Sequence, residues 1–427
     1  MQALKVEGYR LSPQQQQVWQ WQSGAAGFRL QCSIRIEGPL QMELLSRAWA
    51  ELLQRHEILR TTFRRLPGME LPLQVIMEDA AAELEVTDLS DVEEEFRAQW
   101  ERSENPEQGR VVQAKVVRLS EEVHVLLVTL SALCGDRQSL KQIVTELAAG
   151  YAGGVEPEEA LQYADYCAWQ QELLSTEEGV EAGAYWEREA ERAGSAVTLP
   201  GELKPSEGLS AAPAQLERLV DEKVRCKLVG LGEHAGVSLS EVLLAAWQTL
   251  LWRLSGEKQI RIECEYAGRK YEELSGALGP FAKYLPVVTH FEDQMSFADI
   301  LKIANQSISY GDEWQEYFFR DGVPQHHQIG FEYLEAGDGA EAAGVRFKLG
   351  AVRSWTAPLK LKLSCVDEGE TLRLQVSYDT NSYNASGVER LLASLTTLLE
   401  SLSESGSERI GRLPVLSARE REQVVKE

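Results

Sequence analysis

Basic residues are scarce in this sequence relative to acidic ones. Its 427 residues include 43 lysines and arginines against 67 aspartates and glutamates, which gives a formal net charge of −24. Proteins that bind nucleic acids present a basic footprint to the phosphate backbone. The charge balance therefore argues against a nucleic-acid partner, although a local basic patch can still serve an acidic protein partner.

Cysteine and histidine are also few, and their spacing does not match a metal site. The six cysteines are scattered without paired spacing, at positions 32, 134, 167, 226, 264 and 365. We expect reduced thiols, with neither disulfides nor a zinc site. His326 and His327 form the only histidine pair. Because neighbouring side chains point in different directions, we expect no metal site there either.

No apolar run in the sequence is long enough to cross a membrane. The most apolar helical stretch, residues 240–252, is far shorter than a membrane span and contains Glu241 and Gln248. Residues 1–10 lack the apolar core of a signal peptide. We therefore expect a cytoplasmic protein without a membrane partner. The common nucleotide-binding and hydrolase signatures (G-x-G-x-x-G, the P-loop, G-x-S-x-G, H-E-x-x-H) are absent as well.

A strand, a polar loop and a helix follow one another at residues 123–147. Residues 123–130 are an apolar run, which is typical of a strand buried on both faces. Leu140, Ile143, Val144 and Leu147 have the spacing of one apolar helix face. A short loop between two such elements holds its side chains rigidly at a cleft. We therefore expect any reaction centre within residues 131–137.

The same loop also has a purely structural interpretation. Asp136 is a good candidate for the N-cap of the following helix. Cys134, in an apolar neighbourhood, has the usual setting of a small buried hydrophobe. As a nucleophile it would need an exposed, electropositive setting, and no histidine follows it in a familiar signature.

Length and periodicity predict a mixed α/β protein of two lobes. We place the N-terminal lobe at residues 1–175 and the C-terminal lobe at 176–407, with an exposed connection at 194–213. We expect residues 408–427 to be linker more than core. Ser238 with Glu241, and Ser296 with Asp299, have capping-box spacing. Predicted helices include 11–22, 42–56, 91–102, 158–174, 177–193, 221–234, 239–254 and 385–402, and predicted strands include 29–37, 73–77, 110–119, 260–264, 328–334, 345–350, 359–367 and 371–379.

Six stretches together resemble the condensation domains of nonribosomal peptide synthetases. They are LSPQQQQVWQWQ (11–22), RHEILRTTF (55–63), QYADYCAWQQ (162–171), LGPFAKYLP (278–286), VSYDTNSYNASGVERLL (376–392) and GRLPVLSAREREQVV (411–425). They follow the family's order over essentially the whole chain, which is far more specific than one motif. The last stretch is similar to the linker that leads into an adenylation domain.

The resemblance implies a defined fold and reaction. Two chloramphenicol-acetyltransferase-like lobes form a V-shaped pseudo-dimer with a central tunnel. In the family, phosphopantetheine arms of upstream and downstream carrier proteins enter from opposite sides, one with an acyl thioester and the other with an amine. The implied reaction is amide formation with transfer to the downstream carrier, and no cofactor is bound covalently to the domain itself.

The family's central His-His-x-x-x-Asp-Gly motif is altered in this chain. Laid on the loop, its two histidines correspond to Ser131 and Ala132, its aspartate to Asp136 and its glycine to Arg137. In the family, the second histidine positions or deprotonates the amine. Here that position is an alanine.

The opposite wall of the implied tunnel departs from the family as well. Lys283 and Tyr284 replace the family's Asn-Thr, and the arginine that usually partners the aspartate corresponds to Val288. We also assign Trp355 to the tunnel. Changes on both walls indicate a rebuilt site.

Loss of the histidine need not abolish the reaction. A positioned general base is typically worth 10²–10⁴ in rate, or about 3–5 kcal/mol, whereas alignment of amine and thioester supplies ~7–11 kcal/mol. Asp136, a water or the substrate itself can take the proton, with Cys134 as a further candidate. Arg137 or Lys283 can bind a carboxylate or stabilise the oxyanion. Arg137 or Lys283 has no role in catalysis if it only pairs with Asp136 or is a solvated surface charge. Together, the candidate catalytic residues are Asp136, Ser131, Ala132, Cys134 and Arg137.

Three functions fit these observations. The first is an active condensation domain with a non-standard site. The second is a domain without chemistry that recruits a tailoring enzyme or a carrier protein. The third is a stand-alone acyltransferase of the same fold that uses a coenzyme A thioester. An open tunnel lined by Asp136 and Lys283 favours the first function, and a blocked tunnel with an exposed apolar patch favours the second.

Overall fold

The computed structural model describes most of the chain in segments. These are residues 8–22, 27–78, 84–88, 91–101, 107, 111–154, 160–192, 197–204, 212–318, 328–337, 339–404 and 408–416.

Helices and strands are mixed in the part of the chain up to residue 192. In chain order they are α1 (Pro13–Gln22), β1 (Arg29–Glu37), α2 (Met42–Arg55), β2 (Thr61–Arg64), β3 (Leu73–Ile76), β4 (Glu85–Asp88), α3 (Val92–Glu101), β5 (Val112–Arg118), β6 (Val123–Ser131), α4 (Arg137–Tyr151), α5 (Tyr163–Ser175) and α6 (Glu177–Arg192).

The rest of the chain repeats this mixed style. The elements are β7 (Pro213–Val220), α7 (Glu222–Ala235), α8 (Leu239–Ser255), β8 (Gln259–Tyr266), β9 (Lys283–His290), α9 (Phe297–Trp314), β10 (Gln328–Glu335), β11 (Ala340–Ala342), β12 (Val345–Trp355), β13 (Leu359–Asp367), β14 (Leu372–Asp379) and α10 (Ala385–Glu404).

The first sheet is built around β6. Its strand order is β11-β12-β1-β6-β5-β4. Leu126 and Val128 of β6 belong to the apolar core that includes residues of α2 and α4, whereas Val125 and Leu127 pack with Phe96 of α3 on the other face. β6 is therefore buried on both faces, as its apolar run predicted.

The second sheet packs one face against a helical core. Its strand order is β7-β14-β13-β10-β8-β9. α8 is buried almost all round, as expected of a helix that is apolar on every side. Ser238 and Glu241 cap its first turn reciprocally, and Ser296 and Asp299 do the same for α9. Both predicted capping boxes are confirmed.

One strand of the predicted C-terminal segment belongs to the sheet of the first lobe. The two lobes are therefore not two consecutive segments of the chain. β12 pairs antiparallel with β1, from Arg29 opposite Trp355 to Glu37 opposite Arg346. The prediction that all of 176–407 lies in the C-terminal lobe is wrong for β11 and β12. The physical reason is that the edge of β1 needs hydrogen-bond partners, which β12 supplies. The sequence patterns also left β4, β7 and β11 unpredicted.

Residues 408–416 pack against the second lobe. Ile410 and Leu413 are fully buried, and Arg253 of α8 donates to both of their carbonyl oxygens, at 3.1 and 2.6 Å. The expectation of linker more than core is wrong for these residues because their backbone is tied to α8. Residues 417–427 lie outside the described residues.

Candidate functional site

The loop after β6 is a tight turn held by its own backbone. Cys134 donates its N–H to the carbonyl of Ser131 (2.9 Å), and Leu133 donates to Ser131 Oγ (3.3 Å). Ala132 donates to the carbonyl of Phe28 (3.0 Å). Ser131 therefore uses its hydroxyl within the turn, and its predicted catalytic role gains no support from its contacts.

Asp136 caps α4 and joins the two lobes. Its Oδ1 accepts the N–H of Ser139 (2.9 Å), which confirms the predicted N-cap. Arg269 binds both carboxylate oxygens, at 2.7 and 2.9 Å. The backbone N–H groups of Phe281 and Ala282 donate to Oδ2 at 3.0 and 3.1 Å. Both oxygens are thus engaged, and the residue is 4% exposed, so its contacts support a structural role and not the predicted catalytic one.

Arg269 was missed by the sequence reasoning. The sequence indicated that the partner of the aspartate was lost at Val288, but the partner comes from position 269, just after β8. Nothing local to Arg269 marks it, because the pair is separated by 133 residues in the chain. Neither Arg137 nor Lys283 makes this contact, because Arg137 pairs with Glu332 and Lys283 with Glu316.

Arg137 instead crosses to a buried ionic cluster of the second sheet. Its guanidinium pairs with Glu332 on β10 and donates to Gln375 Oε1 on β14 (3.3 Å). Lys362 on β13 lies 2.6 Å from Glu332 and 3.9 Å from Glu265 on β8. We call Arg137, Glu265, Glu332 and Lys362 the central ion cluster.

The two carboxyls of the central ion cluster titrate differently. Burial, followed by the negative charge of Glu332, raises the pKa of Glu265 to about 8. Burial also raises the pKa of Glu332, but the charges of Lys362 and Arg137 outweigh it and lower that pKa below its usual range. Glu265 is therefore the protonated member of the pair near neutral pH. The sequence patterns singled out neither glutamate, although Glu265 directly follows the predicted strand 260–264 and alternates with core residues along β8.

Lys283 and Tyr284 turn to different partners. The Lys283 ammonium is 2.5 Å from Glu316, which also accepts from Tyr166 (3.0 Å). Burial lowers the pKa of Lys283, opposed by the Glu316 charge. The Tyr284 hydroxyl lies 3.1 Å from Thr356 Oγ1. The ammonium of Lys283 is thus bound within its own lobe.

Cys134 and Trp355 lie away from the centre. The thiol of Cys134 is fully buried in the apolar core of the first lobe, and burial raises its pKa well above the usual range. A thiol kept protonated in this way does not act as a nucleophile, so the structure gives the catalytic assignment of Cys134 no support. Trp355, at the end of β12, lines a side cavity of about 470 Å³ with Trp100 and Arg353.

A small cavity lies where the predicted site residues meet. We call it the central cavity; it measures about 40 Å³, room for roughly three waters. A cavity of about 800 Å³ shares Arg137 with it, and the cavity near Trp355 shares Ser354. Residues that line the central cavity include Ala132, Asp136, Arg137, Glu265, Lys283 and Tyr284.

Two negative findings concern the described part of the chain. There, no three His, Cys, Asp or Glu side chains are grouped to hold a metal ion, and His326 and His327 lie outside it. Within the same residues, no single helix is long and apolar enough to cross a membrane. The pair α7 and α8 meets that test only jointly, with a bend of 100° between them.

Comparison with known sequences gives consistent matches. The family model of the Condensation domain matches residues 5–425. One of the plipastatin synthase subunits of Bacillus subtilis (strain 168) is 30% identical over 325 residues, which cover 75% of this chain and 13% of that protein. Bacitracin synthase 3 of Bacillus licheniformis is 23% identical over 432 residues, covering 97% of this chain and 7% of that protein. The chain thus spans a small fraction of these relatives.

Similar solved structures cover almost the whole chain. The first condensation domain of the CDA synthetase has a TM-score of 0.83 at 18% identity, over 96% of this chain and 99% of that one. The X-domain from teicoplanin biosynthesis, in complex with OxyB, has a TM-score of 0.80 at 22% identity, over 97% of each chain. Both confirm the predicted α/β fold of two lobes. Together with the family match over residues 5–425, they establish that the chain belongs to the condensation-domain family.

Proposed function

We propose that this chain is the condensation domain of a nonribosomal peptide synthetase and joins a carrier-bound acyl thioester to a carrier-bound amine. The observation that carries the proposal is the central cavity. Ala132 and Arg137 line it from the first lobe, and Glu265 and Tyr284 line it from the second. The altered motif thus lies at the place where both lobes meet around a common space.

The reaction depends mainly on alignment of the amine with the thioester carbonyl. The amine nitrogen attacks the thioester carbonyl, the C–N bond forms, the C–S bond breaks, and a proton passes from nitrogen to the leaving sulfur. Proximity supplies ~7–11 kcal/mol of the barrier reduction, more than the base that is missing at Ala132. A domain that holds both arms in line therefore retains most of the catalysis.

The wider cavities are the access routes that we propose for the two phosphopantetheine arms. Their volumes, about 470 and 800 Å³, lie in the range of small-molecule sites. Arg137 lies between the larger cavity and the central one. Because the centre holds only a few waters, the Arg137 side chain has to move before an acyl group and an amine meet there.

The partners follow from the same proposal. They are the upstream and downstream carrier proteins and an adenylation domain towards which residues 408–427 lead. The arms belong to the carriers, and no cofactor of the domain itself is proposed.

The deciding experiment is intact-protein mass spectrometry of the two carriers, loaded with their substrates and mixed with or without this chain. We expect the acyl group to appear on the downstream carrier only when the chain is present. A downstream carrier that lacks its phosphopantetheine arm is the control and should gain nothing. Correctly loaded carriers between which nothing moves would overturn the proposal.

Recruitment of a tailoring enzyme is the second candidate function. Arg137 and Glu265 of the central ion cluster line the central cavity, which measures only about 40 Å³. An exposed aromatic pair, Trp169 and Tyr271, is 37% and 44% exposed with ring centroids 5.7 Å apart. A narrow centre, together with an exposed aromatic pair elsewhere on the surface, suits a docking domain.

This candidate is tested by calorimetric titration of the chain with the tailoring enzyme of the same biosynthetic system. Replacement of both Trp169 and Tyr271 by alanine is expected to weaken binding about tenfold or more, because aromatic anchors dominate such interfaces. Val180→Ala, at a side chain that is 63% exposed, is the control and should bind as wild type does. Equal affinity of all three proteins would exclude this surface.

A further inference from the structure

Charged side chains line the face of β8 that is turned away from the helical core. Arg261, Glu263 and Glu265 alternate along the strand with Ile262 and Cys264, which are buried in the apolar core. Alternation along a strand places the three charged residues on one face. Glu265 is the one of the three that lines the central cavity.

Glu265 is the less compensated carboxyl of the central ion cluster. It is hydrogen-bonded to Glu332 and to Tyr284, which lies opposite it in the β8–β9 register. Lys362 lies 2.6 Å from Glu332 but 3.9 Å from Glu265, and Arg137 pairs with Glu332. Both cations thus lie closer to Glu332, and among the described residues the cation nearest to Glu265 in this cluster is Lys362, at 3.9 Å.

We propose that Glu265 is the residue that accepts the proton of the attacking amine, in place of the histidine missing at Ala132. This role rests on the amide-forming function proposed above. Ala132 and Glu265 line the same cavity from different lobes. Glu265 therefore lines the same space as Ala132, the position at which the family's base is missing.

The proposed step balances without any further reactant. The nitrogen lone pair forms the C–N bond to the thioester carbonyl, and the nitrogen proton passes to the ionised carboxylate of Glu265. The C–S bond then breaks, and the leaving thiolate takes the proton from Glu265. The carboxylate returns to its starting state, and one proton has moved from nitrogen to sulfur.

The surroundings of Glu265 give this role its pH dependence. The groups that face it are Tyr284 from β9, Glu332 from β10 and Lys362 from β13, with Arg137 of α4 behind Glu332. Burial raises the pKa of Glu265 to about 8, and a general base works best near the working pH. Since only the ionised carboxyl accepts a proton, transfer is expected to rise with pH up to about 8.

The test is single-turnover transfer between loaded carriers from about pH 6 to about pH 9, with wild type, Glu265→Gln and Glu265→Asp. Glu265→Gln is expected to lose 10²–10⁴-fold in rate. Because the attacking amine titrates in the same range with every variant, the ratio of the wild-type rate to the Glu265→Gln rate is the quantity that should rise towards pH 8. Glu265→Asp keeps a carboxyl, so it should retain the pH-dependent rise at a lower rate. Glu263→Gln is the matched control, since Glu263 is a buried carboxylate of the same strand bonded to Arg261 at 2.8 Å; its rate should change by less than about threefold.

The outcomes separate this role from the function on which it rests. If Glu265→Gln transfers at the wild-type rate with the wild-type pH profile, the role of Glu265 is overturned and amide formation stands. If wild-type protein transfers nothing at any pH, the amide-forming function is overturned, and the role of Glu265 with it. Thermal unfolding of each variant shows whether a lost rate reflects a lost fold. If Glu265→Gln does not fold, Glu265→Asp tests the role instead, because it keeps a carboxyl and should retain the pH-dependent rise.

Discussion

Asp136 has a structural role in the altered motif, from which both of the family's histidines are missing. Its carboxylate caps α4 within the first lobe and binds Arg269 and two backbone N–H groups of the second. A carboxylate with this many donors has no oxygen left for a substrate proton. Its contacts make it a positioning residue that keeps the loop and the opposite lobe in register.

Asp136→Ala is expected to destabilise the protein by about 3–5 kcal/mol, because it leaves the buried guanidinium of Arg269 without its partner and removes a helix cap. Urea unfolding followed by circular dichroism measures the change. Asp221→Ala is the matched control, since Asp221 caps α7 by accepting from Lys223 (2.8 Å) but is exposed. It should cost only about 0.5–2 kcal/mol. Equal losses in the two variants would contradict the bridging role of Asp136.

The cysteines give a second prediction at this scale. Cys226 is exposed, whereas the other five thiols are buried. Only the accessible thiol of a folded protein reacts with an alkylating reagent. Native protein treated with iodoacetamide should therefore gain one label, at Cys226, by peptide mass spectrometry, and unfolded protein should gain labels at all six. Rapid native labelling of Cys134 would show that the loop opens.

At the scale of elements, sequence patterns predict what is local and miss what pairs at a distance. The run at β6 and the capping box of Ser238 and Glu241 both have sequence signatures, and both are present in the structure. The sequence predicts a strand that begins at residue 345, where β12 begins, but nothing in it shows that this strand pairs with β1, more than 300 residues earlier.

The candidate site divides in the same way. Its location on the loop after β6 was predictable, because strand, loop and helix are consecutive in sequence. The pair of Asp136 with Arg269 and the pair of Arg137 with Glu332 are separated by 133 and 195 residues. Such pairs depend on how the two lobes are placed, and no local spacing encodes that placement.

Gly268, between β8 and Arg269, gives a prediction about a connecting segment. Its φ is +67°, and a Cβ placed there would lie 1.8 Å from the carbonyl oxygen of Phe281. Gly268→Ala therefore has to displace the backbone that donates to Asp136. Gly256→Ala is the control, because Gly256 has a φ of +72° but open space around it.

Both alanine variants carry the cost of a left-handed conformation, about 1–2 kcal/mol. Gly268→Ala adds the backbone clash, so we expect it to lose clearly more stability than Gly256→Ala in urea unfolding. Equal losses of stability in the two variants would mean that the backbone around Phe281 moves away from the new Cβ at no cost in stability.

At the scale of the whole molecule, the two lobes are tied by shared structure and by buried charge. β12 completes the sheet of the first lobe, and Asp136 and Arg137 each pair with a residue of the second. The central ion cluster therefore links its protonation state to the stability of the whole fold. The pKa values of Glu265 and Glu332 are displaced in opposite directions.

The sign of this linkage gives the last prediction. The pKa of Glu265 is raised from about 4.5 to about 8 by folding, so between these values the native state holds a proton that the unfolded state has released. Stability from this group is therefore lost as pH rises from about 5 to about 8, by at most about 1.4 kcal/mol per pH unit. Glu332, whose pKa is lowered, acts below this window, where falling pH costs stability.

Urea unfolding of wild type and Glu265→Gln from about pH 5 to about pH 8 isolates the contribution of Glu265. Other groups, such as His124, whose pKa burial lowers, titrate in both proteins and cancel in the difference. The stability of Glu265→Gln relative to wild type should therefore rise steadily with pH across the window. A constant difference would show that Glu265 is already ionised at pH 5 in the folded protein, and that the central ion cluster carries one more negative charge than its contacts indicate.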